Sequence, residues 1–320
     1  MNLEKNKNQD LTAFIESIVK LPPWIKHYSL NHHSPSQINK PDGPWSYEYL
    51  YLTQEQRRKL EGNSKMNAGI SIGTAAQLLF GDYEWQGSKK IEIIKKNKGN
   101  KKTFEAVLEL FNKYTPVSDK DEEQHNENRK GLSSTFYNLK TAIEEVKLKK
   151  PIECERTVSM TLPGCILPCI GRIDLEDSKK FIELKTKWKV RRVSRNKLVS
   201  FSVYKIKEVI SPEHLLQVAF YHLATGKKPY LVIVDEADFK IFTHDIHEPP
   251  HFIKADELHP DNLKKIVKKM SMVASRRERL MERHAGKSTF VQDVEPAFEH
   301  PFYWNFGGNH KEEAKKLWGL

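Results

Sequence analysis

The sequence predicts an α/β protein: a mixed central sheet flanked by helices, with helical additions at both ends of the chain. Three observations carry this. Alternating apolar and polar residues between Glu153 and Lys187 read as a three-stranded antiparallel meander. A helix with Ser211 at its cap, Pro212 at its first position and Gly226 at its end follows. Beyond it, PYLVIVD and FKIFTHD read as the arms of a further hairpin. On this reading residues 1–33 are an N-terminal helical extension and 34–250 the core, with a helical insertion at about 80–150. Residues 251–320 are a C-terminal helix and an aromatic tail packed on the core.

The 320 residues are enough to bury a substantial core. Hydrophobic residues make up only 38%, so the surface must be very polar, and the net charge of +11 favours a polyanionic partner over an acidic small molecule. Three cysteines, Cys154, Cys165 and Cys169, are too few and too clustered for a disulfide framework, which points to a reducing compartment. They read as strand residues rather than zinc or iron–sulfur ligands. The first residues have no apolar leader, and no run of about eighteen apolar residues occurs, so a cytoplasmic, soluble protein without a membrane span is expected.

In chain order, Leu11–Val19 is a short helix candidate, and Ser34-Pro35-Ser36 has the form of a helix start. Trp45, Tyr47, Tyr49 and Tyr51 read as the buried side of a helix or strand, in preference to a base-stacking platform. Residues 70–80 form a helix whose small side chains permit close approach to a neighbour, and Phe104–Lys113 and Leu132–Val146 are further helices. Seven lysines lie between Lys89 and Lys102, and the polar stretch Ser118–Lys130 reads as a mobile surface loop. Trp188–Lys207 is basic with no acid in it. A solvated face would explain that, but its position directly after the meander favours contact with phosphates. On the Ser211 helix, Leu216, Ala219, Phe220 and Leu223 make the apolar stripe. Gln217 and Tyr221, four apart, share a face that would by itself be an ordinary polar margin. A long basic helix is expected over Pro260–Ala285. The thirteen histidines show no HExxH spacing, and His32-His33 read as surface residues.

The chemistry concentrates in Gly171–Lys187. Period two puts Ile182, Leu184 and Thr186 on one face of the last strand, with Phe181, Glu183, Lys185 and Lys187 on the other. With Ser178-Lys179 as a two-residue loop, Asp177 pairs with Lys180, and the same register sets Asp174 opposite Glu183. Two carboxylates facing across a ladder repel. A divalent cation between them reverses the sign, and magnesium needs only one or two carboxylates, taking its other oxygens from water and phosphate. Lys185 beside it would counter charge developing on a phosphoryl oxygen.

Four pieces now stand in order: Gly73-Thr74-Ala75-Ala76-Gln77, Gly171-Arg172-Ile173-Asp174, Glu183-Leu184-Lys185-Thr186 and Gln217-Val218-Ala219-Phe220-Tyr221. Together they resemble the PD-(D/E)xK nuclease superfamily, in particular its RecB-like exonuclease branch, which includes CRISPR-associated and mitochondrial genome maintenance relatives. The resemblance runs from about Ser34 to Phe242. It implies a restriction-endonuclease-like core, with Asp174, Glu183 and the backbone carbonyl of Leu184 holding magnesium or manganese. Lys185 is implied to act electrostatically, because two neighbouring carboxylates keep it charged. Gln217 and Tyr221 would position DNA or brace the centre, with Thr186, Lys187, Lys189, Arg191, Arg192 and Arg195 along the nucleic acid. Many relatives carry a metal-binding histidine where this chain has Gln77, whose neutral amide oxygen still suits magnesium but favours manganese less than an imidazole would. The relatives with an iron–sulfur cluster use four cysteines straddling the core, so no cluster is expected here. The expected function is a metal-dependent DNA exonuclease acting at a free end, in repair, recombination or DNA turnover. The alternatives are a degenerate nucleic-acid-binding module and an endonuclease on the same core.

Overall fold

The chain folds in the α/β class its patterning predicts, with a mixed sheet between two layers of helices. The computed structural model describes residues 15, 20–28, 30–58, 60, 62–86, 89–93, 99–194, 197–245, 251–300, 304 and 309–320. The helix expected over Leu11–Val19 lies outside these, apart from the buried, helical Ile15. In chain order the structure contains α1 (Pro35–Ile38), α2 (Asp42–Ser46) continuing into a π-helical turn at Tyr47–Tyr51, α3 (Gln54–Arg58) and α4 (Ser64–Phe80). Next come β1 (Tyr83–Gln86), β2 (Lys89–Glu92), α5 (Asn100–Asn112), α6 (Asp119–Val146), β3 (Glu153–Thr161), β4 (Pro168–Glu176) and β5 (Lys180–Thr186). They are followed by β6 (Val190–Ser194), β7 (Lys197–Ser202), α7 (Pro212–Thr225), β8 (Lys228–Val234), β9 (Phe239–Thr243) and β10 (Phe252–Lys254). Two helices, α8 (Pro260–His284) and α9 (His310–Leu317), close the chain.

Among the described residues eight strands form one sheet in the order β10-β9-β8-β5-β4-β3-β1-β2, while β6 and β7 make a separate ribbon. The expected meander β3-β4-β5 is antiparallel, β8 lies parallel to β5, and β9 returns antiparallel to β8. A parallel neighbour needs a crossover, and the segment that includes α7 supplies it. Strand alternation divides the apolar residues between two cores. Leu175, Ile182, Leu184, Val232 and Val234 pack under α4, α5 and α6. Val158, Ile173, Phe181, Leu231 and Ile233 pack under α7 and α8. Each such side chain contributes about 2 kcal/mol by leaving water. Because Phe181 belongs to the second core, Glu183 and Lys185 face α7, as the period of two requires.

Four expectations are corrected. Ser118–Lys130 is not a loop: it is the first half of the 28-residue α6. Its polar residues have specific partners that composition does not reveal. The Ser118 hydroxyl accepts from Asp121 N–H, and Asp121 in turn accepts from Ser64 N–H at 2.8 Å and Tyr114 O–H at 2.6 Å. Three acids in the first turn also suit the positive end of the helix. Second, the insertion is not wholly helical, since β1 and β2 extend the sheet beyond β3. Third, the helix read over 70–80 begins six residues earlier, at Ser64, and the basic run after β5 folds into the β6–β7 ribbon. Fourth, Leu223 is 39% exposed rather than part of the apolar stripe; His214, Val218, Ala219, Phe220 and Tyr221 are the buried residues of α7. Gly69 makes a close approach on α4, where an added Cβ would sit 3.0 Å from Thr186 Oγ1.

Described residues of the C-terminal region pack on the body. Trp45 and Tyr47 are fully buried, while Trp304 and Trp318 pack with Tyr47 and Leu52. Among the described residues no helix is long and apolar enough to cross a membrane. Arg277 of α8 fastens the α1–α2 segment. It is 1% exposed, stacks 4.5 Å over Trp45, and donates to Asp42 Oδ1, Gln37 O and Lys40 O at 3.1, 3.1 and 2.6 Å. Arg277→Ala leaves those acceptors unmatched and is expected to cost about 3 kcal/mol, read from the midpoint of urea unfolding. A loss under about 0.5 kcal/mol, the size of an ordinary surface change, would show the staple to be idle.

Candidate active site

The hairpin register follows from its turn. Asp177 N–H donates to Lys180 O at 2.9 Å, and Asp177 Oδ1 accepts from the N–H groups of Lys179 and Lys180 at 2.7 Å each. The observed pairs Glu176–Phe181 and Leu175–Ile182 then lead to Asp174 opposite Glu183. Hydrogen-bonded and non-hydrogen-bonded pairs alternate in an antiparallel ladder. Counting from the bonded Asp177–Lys180 pair, Asp174–Glu183 is a non-bonded pair, the kind that brings side chains closest.

Both ladders of β4 break at this level. Toward β5, Leu184 N–H donates to Asp174 Oδ2 at 2.6 Å, so the side chain replaces the strand carbonyl a regular ladder would offer. Toward β3, the pairs Cys154–Leu175 and Arg156–Ile173 flank an unpaired Glu155 and Asp174, and Glu155 has φ +52°. This is left-handed backbone, uncommon outside glycine. Consequently Ile173 and Leu175, two apart, belong to opposite cores. The backbone break turns Asp174 into the gap between strands.

Glu183 is 2% exposed. Lys185 Nζ lies 2.5 Å from Glu183 Oε1, whereas Glu183 Oε2 is buried without a hydrogen-bond partner. Burial raises the carboxyl of Asp174 well above the usual aspartate range, and the charge of Glu183 raises it further, against the pull of Lys185. Burial also raises Glu183, with Lys185 opposing and Glu155 adding to it. Lys185 would be depressed by its own burial, but Glu183 and Asp174 prevail and hold it above the ordinary lysine range, so it stays an ammonium.

Tyr221 is a buried brace. Its hydroxyl accepts from Arg172 N–H at 3.2 Å, and its ring meets Phe181 edge-on with centroids 6.0 Å apart. Burial, then the charges of Glu183 and Asp174, push its phenol far up, so it keeps its proton. The ring fills the notch over Gly171, where an added Cβ would fall 2.5 Å from Tyr221 Cε1. Gln217, half-buried on α7, lines a cleft of about 320 Å³ together with Asp174, Glu155, Tyr221, Ser34 and Arg172.

The other residues singled out from the sequence divide. Thr186 packs on Gly69 of α4. Lys187 stays beside the site. Lys189 is bound to Glu127 and Glu236 at 2.8 and 3.0 Å, and Arg191 to Glu123, so both spend their charge on acids of the protein itself. Arg192 is exposed and donates to Ser202 Oγ at 2.9 Å; Arg195 lies outside the described residues. Gln77 gives its amide N–H to Glu155 Oε1 at 3.1 Å. Glu155 also accepts from Arg172 Nη1 at 2.9 Å, and it is the carboxylate the sequence reading missed. A six-residue loop, 162–167, separates β3 from β4, so the Pro163-Gly164 turn alone did not set the register that brings Glu155 to Asp174. His33 is buried rather than superficial: its Nε2 lies 3.1 Å from Glu278 Oε1. The three cysteines form no disulfide among the described residues, and burial pushes the Cys165 thiol up to about 12.

Among the described residues no three His, Cys, Asp or Glu side chains converge as a ready metal cage. Two carboxylates with one orphaned buried oxygen, beside the N–H and C=O of Leu184 that leave the strand on the same edge, still suit a hard cation that keeps waters and phosphate in its shell. Comparison with family profiles, curated proteins and solved structures finds no match to this chain.

Two outcomes follow from this geometry. Gly171→Ala drives a methyl into Tyr221 and is expected to lower stability by about 1–3 kcal/mol, seen in urea unfolding; a neutral result would mean the notch is loose. Asp174 has a raised folded value, so its contribution to stability is present in acid and is lost as pH rises from the ordinary aspartate range. In EDTA, Asp174→Asn should therefore gain stability over the unsubstituted protein progressively from about pH 4 upward. A difference independent of pH would show Asp174 to titrate normally.

Proposed function

We propose that this protein is a metal-dependent DNA exonuclease with a PD-(D/E)xK, restriction-endonuclease-like centre. The observation that carries the reading is the Asp174–Glu183 pair at a broken ladder, with Glu183 Oε2 buried and unpartnered and the Lys185 ammonium alongside. The pair carries one more negative charge than Lys185 offsets, in a place where burial makes that charge costly.

Asp174, Glu183 and the Leu184 carbonyl would hold magnesium or manganese, which when bound supplies a polarised phosphoryl group and a more acidic water. Lys185 neutralises charge accumulating on the phosphoryl oxygens in the transition state. Its hydrogen bond to Glu183 fixes the ammonium, and its raised pKa makes it an electrostatic group rather than a base. Tyr221 keeps β4 and α7 in register beneath the cleft. The cleft lies at the small end of the range for pockets that enclose small ligands. Its volume suits a single nucleotide unit of a strand at the centre. That favours digestion from an end. The binding-module reading has one feature in its favour: Gln77 stands where relatives have a histidine, and its amide is spent on Glu155.

One panel decides among these: end-labelled single-stranded, duplex and closed circular DNA with magnesium, manganese or EDTA. Digestion of the linear forms only, abolished by EDTA and reduced at least a hundredfold in Lys185→Ala while DNA binding persists, is the expected outcome. Undiminished cleavage by Lys185→Ala rejects the assignment, cleavage of circles makes the protein an endonuclease, and binding without cleavage makes it a module. Millimolar magnesium should also raise the melting temperature of the unsubstituted protein and leave that of Asp174→Asn unmoved.

A further inference from the structure

The N-terminus of α7 lies beside Lys185 and Lys187, and its groups are left without the partners they would ordinarily have. Pro212 has no N–H and His214 N–H donates to Ser211 O at 3.1 Å, so Glu213 carries the first-turn N–H without an intrahelical acceptor. Ser211, at the cap position, makes no cap bond, and its hydroxyl is buried without a partner. This departs from the capping its sequence predicts. Three residues on, His214 is 5% exposed and its Nδ1 has no partner either among the described residues. Lys187, on the same face of the strand direction as Glu183 and Lys185, is half-buried and forms no ion pair among the described residues. Its Nζ lies 5.5 Å from the centroid of the Tyr204 ring. A partly desolvated ammonium without a counter-ion is costly.

One carboxylate lies close to His214 and acts on both lysines. Glu213, at the second position of α7, is half-exposed and makes no hydrogen bond; its Oε1 stands 3.8 Å from His214 Nε2. Its charge acts on both Lys185 and Lys187. The two lysines, after burial, push the His214 imidazole down to about 3, so that ring is neutral and offers a donor without adding repulsion. A helix N-terminus, an unpaired lysine, a neutral imidazole and a free hydroxyl around one loosely held carboxylate make an anion site occupied by a stand-in.

We propose that the N-terminus of α7, with Lys187, His214 and Ser211, is a phosphate subsite that receives a backbone phosphate of the strand next to the one held at Asp174 and Glu183, and that Glu213 occupies it in the free protein. The identity of the strand rests on the nuclease reading; the phosphate chemistry does not. Entry of the phosphate turns Glu213 out to solvent, where its half-exposed position already leads.

The test is made in EDTA, so that it does not depend on cleavage. Binding of a labelled 20-nucleotide single strand is measured over a range of salt. Lys187→Ala should weaken it about fivefold and flatten the log–log salt slope by about 0.7, the loss of one phosphate contact on a single strand. Glu213→Gln should tighten it about threefold, whereas Glu105→Gln, an exposed acid on α5, should leave it unchanged. Inorganic phosphate is the second probe: it should shift the His214 ring resonances, assigned with His214→Asn, in the unsubstituted protein and not in Lys187→Ala. An unaltered affinity and slope in Lys187→Ala, a Glu213→Gln no tighter than Glu105→Gln, or phosphate that leaves the His214 ring unmoved overturns the subsite, whether or not the protein cuts DNA. Failure of the digestion panel with these shifts intact would overturn the nuclease reading alone.

Discussion

The repulsion between Asp174 and Glu183 is the constraint around which the molecule is arranged. Two unit charges about 4 Å apart at the effective dielectric of a protein interact by about 4 kcal/mol, and burial adds to that cost for each ion. Lys185 offsets one of them, and the apolar residues on either side of the sheet outweigh the rest. Phe181, Ile182, Leu231 and Val232 are all fully buried within two residues of the register position of Glu183 or on the strand beside it. At about 2 kcal/mol each, a few such side chains tolerate one badly placed carboxylate. What remains is a buried excess of negative charge that a proton or a cation must meet. In acid the raised Asp174 takes the proton. As pH rises that option weakens, and on the proposed reading a divalent ion meets the same electrostatic need.

Position matters as much as charge, and several unrelated contacts fix it. Asp177 locks the two-residue turn, which makes the register of β4 against β5 unambiguous. The left-handed backbone at Glu155 interrupts the other ladder of β4 at the same level. Between these breaks Asp174 is free to leave the pleat, while Gly171 and Tyr221 hold the preceding residues down. Arg277 fastens the segment that forms the opposite wall of the cleft from a helix more than 230 residues away in sequence, through Asp42, Gln37 and Lys40. The centre is thus assembled from strong local turn chemistry and a few long-range clamps.

That division explains what could be read in advance. The Asp174–Glu183 register was legible because a two-residue loop leaves no freedom between Asp177 and Lys180. The face on which Glu183 and Lys185 lie was legible because period two has no alternative. Glu155 was not, since a six-residue loop separates its strand from β4 and the pairing then depends on a distortion at Glu155 itself. The first half of α6 was not, since Asp121, Gln124 and Glu127 look like solvated residues until Ser64, Asn128 and Lys189 come to meet them. The His33–Glu278 contact spans 245 residues, and no local pattern announces it.

The same reasoning changes what the basic composition means. A surplus of +11 marks a protein suited to a polyanion, but it does not say which cations face one. Within the basic run after β5, Lys189 and Arg191 are consumed by acids of α6 and by Glu236 in the β8–β9 turn, and their role is to tie the ribbon to the body. Lys187, two residues from the ammonium of Lys185, forms no ion pair among the described residues and lies 5.5 Å from the Tyr204 ring. Charges that the fold has already neutralised contribute little to a phosphate, because binding would first have to break an existing pair. The unpaired lysine beside an uncapped helix end is therefore a better guide to the path of a strand than the density of lysine and arginine in the sequence. On the proposed reading, the path begins where internal neutralisation stops.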